Sequence, residues 1–165
     1  MIRFFIIMVL VVVGDQLSKL WVLDNFLLYE SREIIPGFFN LTFLRNTGAA
    51  FGILSGMPLF WRQIFFVTIA VLALIVLIMM HRKMGRKTFL YPLSFALIGG
   101  GAVGNVIDRV LYGSVVDFLD FYVKGYHWPA FNVADSGITV GVGIFLVLQV
   151  FEGEEEKKKA VKDTQ

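Results

Sequence analysis

Residues 99–138 read GGGAVGNVIDRVLYGSVVDFLDFYVKGYHWPAFNVADSGI, and this stretch decides how the rest of the chain is interpreted. It lies where two strongly apolar segments meet, and it contains four aspartates. They are Asp108, Asp117, Asp120 and Asp135. A charged side chain at membrane depth costs at least about 2.5 kcal/mol even on the most lenient insertion scale. Carboxylates retained at such a place therefore need a compensating role.

The composition indicates an integral membrane protein. The 165 residues are 57% hydrophobic and 17% charged, and the mean hydropathy is +0.73. A soluble domain of this length needs a more polar surface. The chain has no Cys, which excludes a disulfide framework, a thiol nucleophile and a Cys-ligated metal. Because His81 and His127 are far apart in the sequence, we predict neither a metal site nor another cofactor.

Four apolar segments are long enough to cross a bilayer, which takes about 20 residues. They cover about residues 2–23, 59–80, 88–109 and 133–151. We assign them to one membrane domain, residues 1–152. The charged residues 153–165 are poor in apolar side chains and predict a disordered tail.

The basic residues outside the spans are distributed unequally between the two sides. One side has Arg3, Arg82, Lys83, Arg86, Lys87 and four tail lysines, whereas the other has Arg32, Arg45 and Lys124. By the positive-inside rule, both termini and the charged tail are predicted to be cytoplasmic.

The two segments predicted on the opposite, extracytoplasmic side do not resemble spans. Residues 24–58 mix β-branched and aromatic residues with Pro36 and several glycines, which favours short strands and turns. Residues 110–129 are too polar and too interrupted to cross, and there we predict a short helical or loop segment. Such segments cannot face lipid, so they must lie outside the hydrocarbon or pack on protein.

Polar residues from four separate segments converge on the extracytoplasmic end of this predicted bundle. Asp15 and Lys19 are four residues apart on one helix face and can pair, either as a neutral pair with Lys19 snorkelling or as part of a site. Asn105, Asp108 and Arg109 share a face of the third span, and the spacing favours pairing of Asp108 and Arg109 with other segments. Taken alone, the NTGAAF sequence at residues 46–51 predicts only a tight turn.

Two aspartates of the opening stretch are the candidates for chemistry. Asp117 is flanked by Val116 and Phe118, so burial should raise its pKa unless a partner comes from elsewhere. Asp135 lies three residues after Asn132, and the pair can cap the fourth helix, which by itself explains both residues. Asp120 is predicted to be a solvated surface acid.

A pair of carboxylates that share a proton can activate a water molecule for attack on a carbonyl group. Carboxylates within a membrane also serve small transporters and proton-conducting proteins, and the residues alone leave that alternative open.

Four blocks of the chain together resemble the signature motifs of lipoprotein signal peptidase, also called signal peptidase II. They are DQLSK at 15–19, NTGAAF at 46–51, GNVIDRVLYGSVVDFLDF at 104–121 and FNVADSGI at 131–138. The resemblance implies an aspartyl endopeptidase of the bacterial inner membrane, which is independent of metal and cuts prolipoproteins just before their lipid-modified cysteine. It also implies a small extracytoplasmic β-cradle within residues 24–58, beside four transmembrane helices in an otherwise all-α protein.

The resemblance assigns roles residue by residue. Asp117 and Asp135 match the catalytic dyad. The supporting and substrate-binding positions are Asp15, Lys19, Asn46, Gly48, Asn105, Asp108, Arg109, Asn132 and Ala134. The expected partners are diacylglyceryl-modified prolipoproteins and membrane lipids, without nucleic acid, and the protein is expected to be a monomer. Presenilin-like and prepilin-peptidase-like proteases are set aside, because their Gly-x-Gly-Asp element is absent: the only similar text, GVG at 141–143, is followed by Ile144.

Overall fold

The computed structural model describes residues 2–48, 54, 56–85 and 87–162, with side chains described as far as residue 153. Four helices and four strands follow one another along the chain. They are α1 (Ile2–Asn25), β1 (Ser31–Ile35), β2 (Phe39–Asn46), α2 (Leu59–Met84), α3 (Leu90–Tyr112), β3 (Val115–Val123), β4 (Tyr126–His127) and α4 (Val133–Lys162). Part of the predicted NTGAAF turn, residues 49–51, lies outside the described residues.

All four helices are long and apolar enough to cross a membrane. The predicted spans lie within them, apart from residues 88 and 89. The structure differs from the prediction at the tail, because α4 continues to Lys162 where disorder was predicted from residue 153. The Glu and Lys residues of the EEEKKK run at 154–159 are good helix formers, so the sequence allows α4 to continue.

The strands form one antiparallel sheet in the order β1-β2-β3-β4. Strands within residues 24–58 were predicted, but the helical or loop segment predicted for residues 110–129 is wrong. The β-branched and aromatic residues of VVDFLDFYV favour the extended β3 instead. Gly113 ends α3 in the left-handed conformation (φ 70°) that only glycine adopts readily, and the chain then enters β3.

The glycine run of α3 lets α1 and α4 approach closely. A Cβ on Gly100 would lie 2.7 Å from Val11 Cβ, and one on Gly104 would lie 2.5 Å from a carboxylate oxygen of Asp15. A Cβ on Gly101 would clash with the backbone oxygen of Ala134. Close packing was the predicted role of this run, and it is confirmed. Its consequence is that α3 is held against both helices that carry predicted site residues.

Candidate active site

A cavity of about 600 Å³ lies where the end of α3, the start of α4 and strand β3 meet. Its polar lining includes Asn46, Asn105, Arg109, Asp117 and Asp135. Aromatic and apolar residues complete it, from residues 128–131 and from the first two turns of α4. The two predicted catalytic carboxylates therefore open into one space.

Asp117 is buried on β3, with 4% of its surface exposed. Asn132 Nδ2 donates to Asp117 Oδ1 at 2.8 Å, and Asn46 Nδ2 donates to Asp117 Oδ2 at 3.1 Å. Burial, and after it the charge of Asp135, raises the pKa of Asp117 from 3.8 to about 7, and the two amides only partly offset this. The predicted rise is confirmed, and it favours one proton on the pair near neutral pH.

Asp135 is held by a reciprocal cap at the start of α4. The backbone N–H of Asp135 donates to Asn132 Oδ1 at 2.9 Å, and the backbone N–H of Asn132 donates to Asp135 Oδ2 at 3.3 Å. This is the capping-box arrangement, in which two otherwise unpaired N–H groups are satisfied. The predicted cap is confirmed, and it leaves Asp135 Oδ1 to accept from Asn105 Nδ2 at 2.7 Å.

Two of the three asparagine amides have their oxygen occupied by a backbone donor. The backbone N–H of Gly48 donates to Asn46 Oδ1 at 3.0 Å, and that of Asp135 caps Asn132 as described above. An amide whose oxygen accepts from an N–H must direct its NH₂ elsewhere. Both NH₂ groups are therefore directed to Asp117.

Lys19 orients the third amide. Its Nζ lies 3.0 Å from Asn105 Oδ1, 2.8 Å from Asp15 and 3.0 Å from Asp108. Only 2% of Lys19 is exposed, so the alternative in which Lys19 snorkels to the interface is wrong. The predicted pairing of Lys19 with Asp15 is confirmed.

Backbone donors complete this buried charge cluster. The N–H of Ala134 donates to Asp15 Oδ1 at 2.9 Å, and that of Val116 donates to Asp108 Oδ2 at 3.0 Å. Ala134 directly precedes Asp135, and Val116 directly precedes Asp117. These bonds therefore connect α1 and α3 to the two segments that carry the dyad. Asp108 pairs with other segments, as its spacing predicted.

Arg109 also lines the cavity. Its Nη2 donates to the backbone oxygen of Gly48 at 2.8 Å, and its guanidinium lies 4.0 Å from the centroid of the Phe66 ring on α2. Gln63, also on α2, donates to the backbone oxygen of Arg109 at 2.9 Å. A guanidinium over an aromatic face is stabilised by the ring quadrupole.

The chain is similar to proteins of a known family. The family model described as signal peptidase (SPase) II matches residues 7–151. The chain belongs to the signal peptidase II family. A lipoprotein signal peptidase of Syntrophus aciditrophicus (strain SB) is 44% identical over 159 residues, which cover 95% of this chain and 97% of the relative. Another, from Shewanella woodyi (strain ATCC 51908 / MS32), is 48% identical over 146 residues, covering 88% and 82%.

A solved structure described as a bacterial membrane enzyme, determined by the in meso method at 2.3 Å resolution, has the same fold. It is 38% identical, has a TM-score of 0.83 and covers 93% of this chain and 90% of its own. This chain therefore shares its fold with an experimentally determined membrane enzyme.

Hydrogen bonds and ion pairs join every predicted site residue of this chain into one network. It includes Asp15, Lys19, Asn46, Gly48, Asn105, Asp108, Arg109, Asp117, Asn132, Ala134 and Asp135. The matched range of the family model contains all of them. Their individual catalytic and binding roles remain predictions.

Some neighbours of the site were missed. Gln16 Nε2 donates to Asp108 Oδ1 at 2.9 Å, and its position inside the DQLSK motif was the available signal. Phe66 and Gln63 lie in a predominantly apolar helix outside the four motifs, where no local pattern connected them to the site. Asp120 was predicted to be a surface acid, which is wrong: it is 8% exposed and hydrogen-bonded to Asn40 and His127. The error follows from the missed strand β3.

Proposed function

We propose that this protein is an intramembrane aspartyl endopeptidase that removes the signal peptide from bacterial prolipoproteins by cutting just before the lipid-modified cysteine. The observation that carries the proposal is the pair Asp117 and Asp135, which open into one cavity and share a network of amide donors. The family and the names of the relatives support the substrate class.

The proposed reaction uses the single proton that the pair holds near neutral pH. Two interacting carboxylates in one site titrate as a pair and do not both ionise readily. The ionised member takes a proton from a water molecule as that water attacks the scissile carbonyl carbon, and the protonated member gives its proton to the carbonyl oxygen. When the tetrahedral intermediate collapses, the C–N bond breaks and a proton passes to the leaving nitrogen.

The remaining polar residues hold the dyad in position for this step. The amides of Asn46 and Asn132 hold Asp117 from two sides, and the cap and Asn105 hold Asp135. Positioning of this kind supplies much of the rate acceleration of an enzyme, since misplacement by about 1 Å can cost a factor of about 10². Arg109 is proposed to bind the substrate backbone, because its guanidinium lines the same cavity.

The proposed orientation has both termini in the cytoplasm and the cavity near the extracytoplasmic face of the inner membrane. The natural sequence has no Cys, so single cysteines can be introduced and labelled without background. In intact spheroplasts, a membrane-impermeant maleimide should label Lys124→Cys, at the tip of the sheet, and should leave Lys83→Cys, at the end of α2, unlabelled. The reverse pattern would overturn the orientation.

The test of the function is cleavage of two matched substrates in detergent. One is a prolipoprotein that carries the diacylglyceryl group on its cysteine, and the other is the same protein without lipid. Mass spectrometry should find a single cut before the lipidated cysteine, with little or no cut in the second substrate. EDTA should leave the rate unchanged. Equal cleavage of both substrates would contradict the proposed substrate class, and inhibition by EDTA would contradict metal independence.

The transporter alternative requires carboxylates at successive depths along a pathway. The cluster of Asp15, Asp108, Asp117 and Asp135 at one end of the helices favours the peptidase instead.

A further inference from the structure

Asp120 is a buried carboxylate that the proposed reaction does not use. A buried carboxylate is costly unless it is paired or hydrogen-bonded. Asn40 Nδ2 donates to Asp120 Oδ2 at 2.9 Å, and His127 Nδ1 lies 2.8 Å from Oδ1 and 3.0 Å from Oδ2. The side chain of His127 is 51% exposed, so burial alone does not hold it in place. The contact with Asp120 therefore fixes the position of a side chain that is half exposed.

His127 is held from a second side by Tyr122. The two residues are direct partners in the β3–β4 pairing, and their rings stack at 4.8 Å between centroids with an angle of 9°. Strand β4 has only two residues, Tyr126 and His127, and so short a pairing is weak on its own. The side-chain contacts of His127 therefore stabilise the attachment of β4 to β3.

The chain that follows His127 forms one wall of the cavity. Residues 128–131, which we call the cavity wall, all line it. The wall begins where the Trp128 N–H donates to the backbone oxygen of Phe121 at 2.8 Å, and it ends where Phe131 pairs with Leu119. The position of the wall therefore depends on how firmly β4 is held.

We infer that the Asp120–His127 pair is a latch that positions the cavity wall and thereby sets the affinity for the apolar part of the substrate that lies against it. This inference rests on the proposed function, because it takes the cavity to be the substrate site. Asp120 is three residues from Asp117 along the strand and so faces away from it. The latch is a positioning pair, and it acts on the substrate through the wall.

A double-mutant cycle separates this role from a catalytic one. We expect Asp120→Ala and His127→Ala each to raise the KM for the lipidated prolipoprotein about three- to tenfold, as expected for loss of a charge-assisted hydrogen bond, with kcat within about twofold. The double variant should raise the KM no further than the more damaging single variant, because the two residues act through one contact. His127→Gln, which keeps a donor, should recover part of the loss.

The matched control is Lys87→Gln. It breaks an ion pair of the same length, 2.8 Å, between Lys87, in the turn before α3, and Glu152 on α4. Its KM and kcat should equal those of the unaltered protein.

Hydrogen exchange of the protein without substrate gives a second readout that needs no catalysis. The Trp128 amide should exchange faster in both single variants, to a similar extent in the double variant, and at the original rate in Lys87→Gln. Unchanged exchange, or an unchanged KM in protein that still cleaves, would overturn the latch and leave the proposed function intact. Independent, multiplicative effects on the KM would also overturn it. Failure of the unaltered protein to cleave any prolipoprotein would instead overturn the proposed function.

Discussion

Lys19 Nζ lies 3.0 Å from Asn105 Oδ1, and this contact fixes which way the Asn105 amide faces. An ammonium group has only donors, so the amide must turn its oxygen to Lys19 and its NH₂ to Asp135. The same ammonium pairs with both Asp15 and Asp108, which are themselves buried. One lysine therefore links the charge cluster that holds three helices together to a carboxylate proposed for the chemistry.

Replacing Lys19 with Met should be strongly destabilising. It removes the cation that both Asp15 and Asp108 contact, and breaking a buried pair in this way costs about 3–5 kcal/mol. The drop in Tm of the detergent-solubilised protein measures the effect. Lys87→Met is the control: its ion pair is half-exposed, and such pairs contribute about 1 kcal/mol or less. Equal Tm values for the two variants would show that the buried cluster does not stabilise the fold.

Gly101→Ala should separate α3 from α4. The added Cβ would clash with the backbone oxygen of Ala134, and overpacking of this kind costs about 1–3 kcal/mol. Since Asp135 follows Ala134, the cleavage rate should fall even at temperatures where the variant remains folded. Gly143→Ala is the control on α4, because a Cβ there meets nothing within 4 Å and alanine is the better helix former. Thermal unfolding and cleavage rates, measured on the same preparations, test both expectations.

The raised pKa of Asp117, about 7, predicts how stability depends on pH. The folded protein binds this proton more tightly than the unfolded chain does. The resulting stabilisation is complete below the ordinary value of 3.8 and is lost as the pH rises through about 7. Between about pH 5 and about pH 8, the Tm of the unaltered protein should therefore fall relative to that of Asp117→Asn, which cannot titrate. If the Tm of the two proteins changed with pH in parallel, the raised pKa of Asp117 would be contradicted.

Asn46→Ala should move the alkaline limit of activity upwards. The Asn46 amide donates to Asp117 and lowers the pKa of that carboxyl, so its removal raises the pKa further. The shared proton is then lost at higher pH, and the alkaline limb of kcat/KM shifts in the same direction. Asn40→Ala removes an amide from the same strand that bonds Asp120 instead, and it should leave the midpoint of the limb unchanged. A downward shift in Asn46→Ala would show that the amide favours the protonated form.

Local patterns in the sequence were sufficient for much of the site. The cap between Asn132 and Asp135 depends on residues three apart, and the Lys19–Asp15 pair on residues four apart on one helix. Both follow from helix geometry. The gathering of the aspartates at one end follows from where apolar segments of span length begin and end.

Strand β3 was missed, although its β-branched and aromatic residues favour a strand. The three-residue spacing of Asp117 and Asp120 suggests one helix face, whereas on a strand it places the two carboxylates on opposite faces. With the strand missed, the burial of Asp120 and its bond to His127 were missed as well. The stacking of Arg109 on Phe66 joins two helices and leaves no local pattern, so only the packed structure reveals it.

The most direct test of the account is the cleavage rate of lipid-modified prolipoprotein by Asp117→Asn and Asp135→Asn, with each variant first shown to be folded by its Tm. If the two carboxylates perform the chemistry as a pair, either substitution alone should lower kcat by a factor of about 10³ or more, and the double variant should be little worse. Appreciable turnover by either folded variant would contradict the assignment of Asp117 and Asp135 as the catalytic dyad.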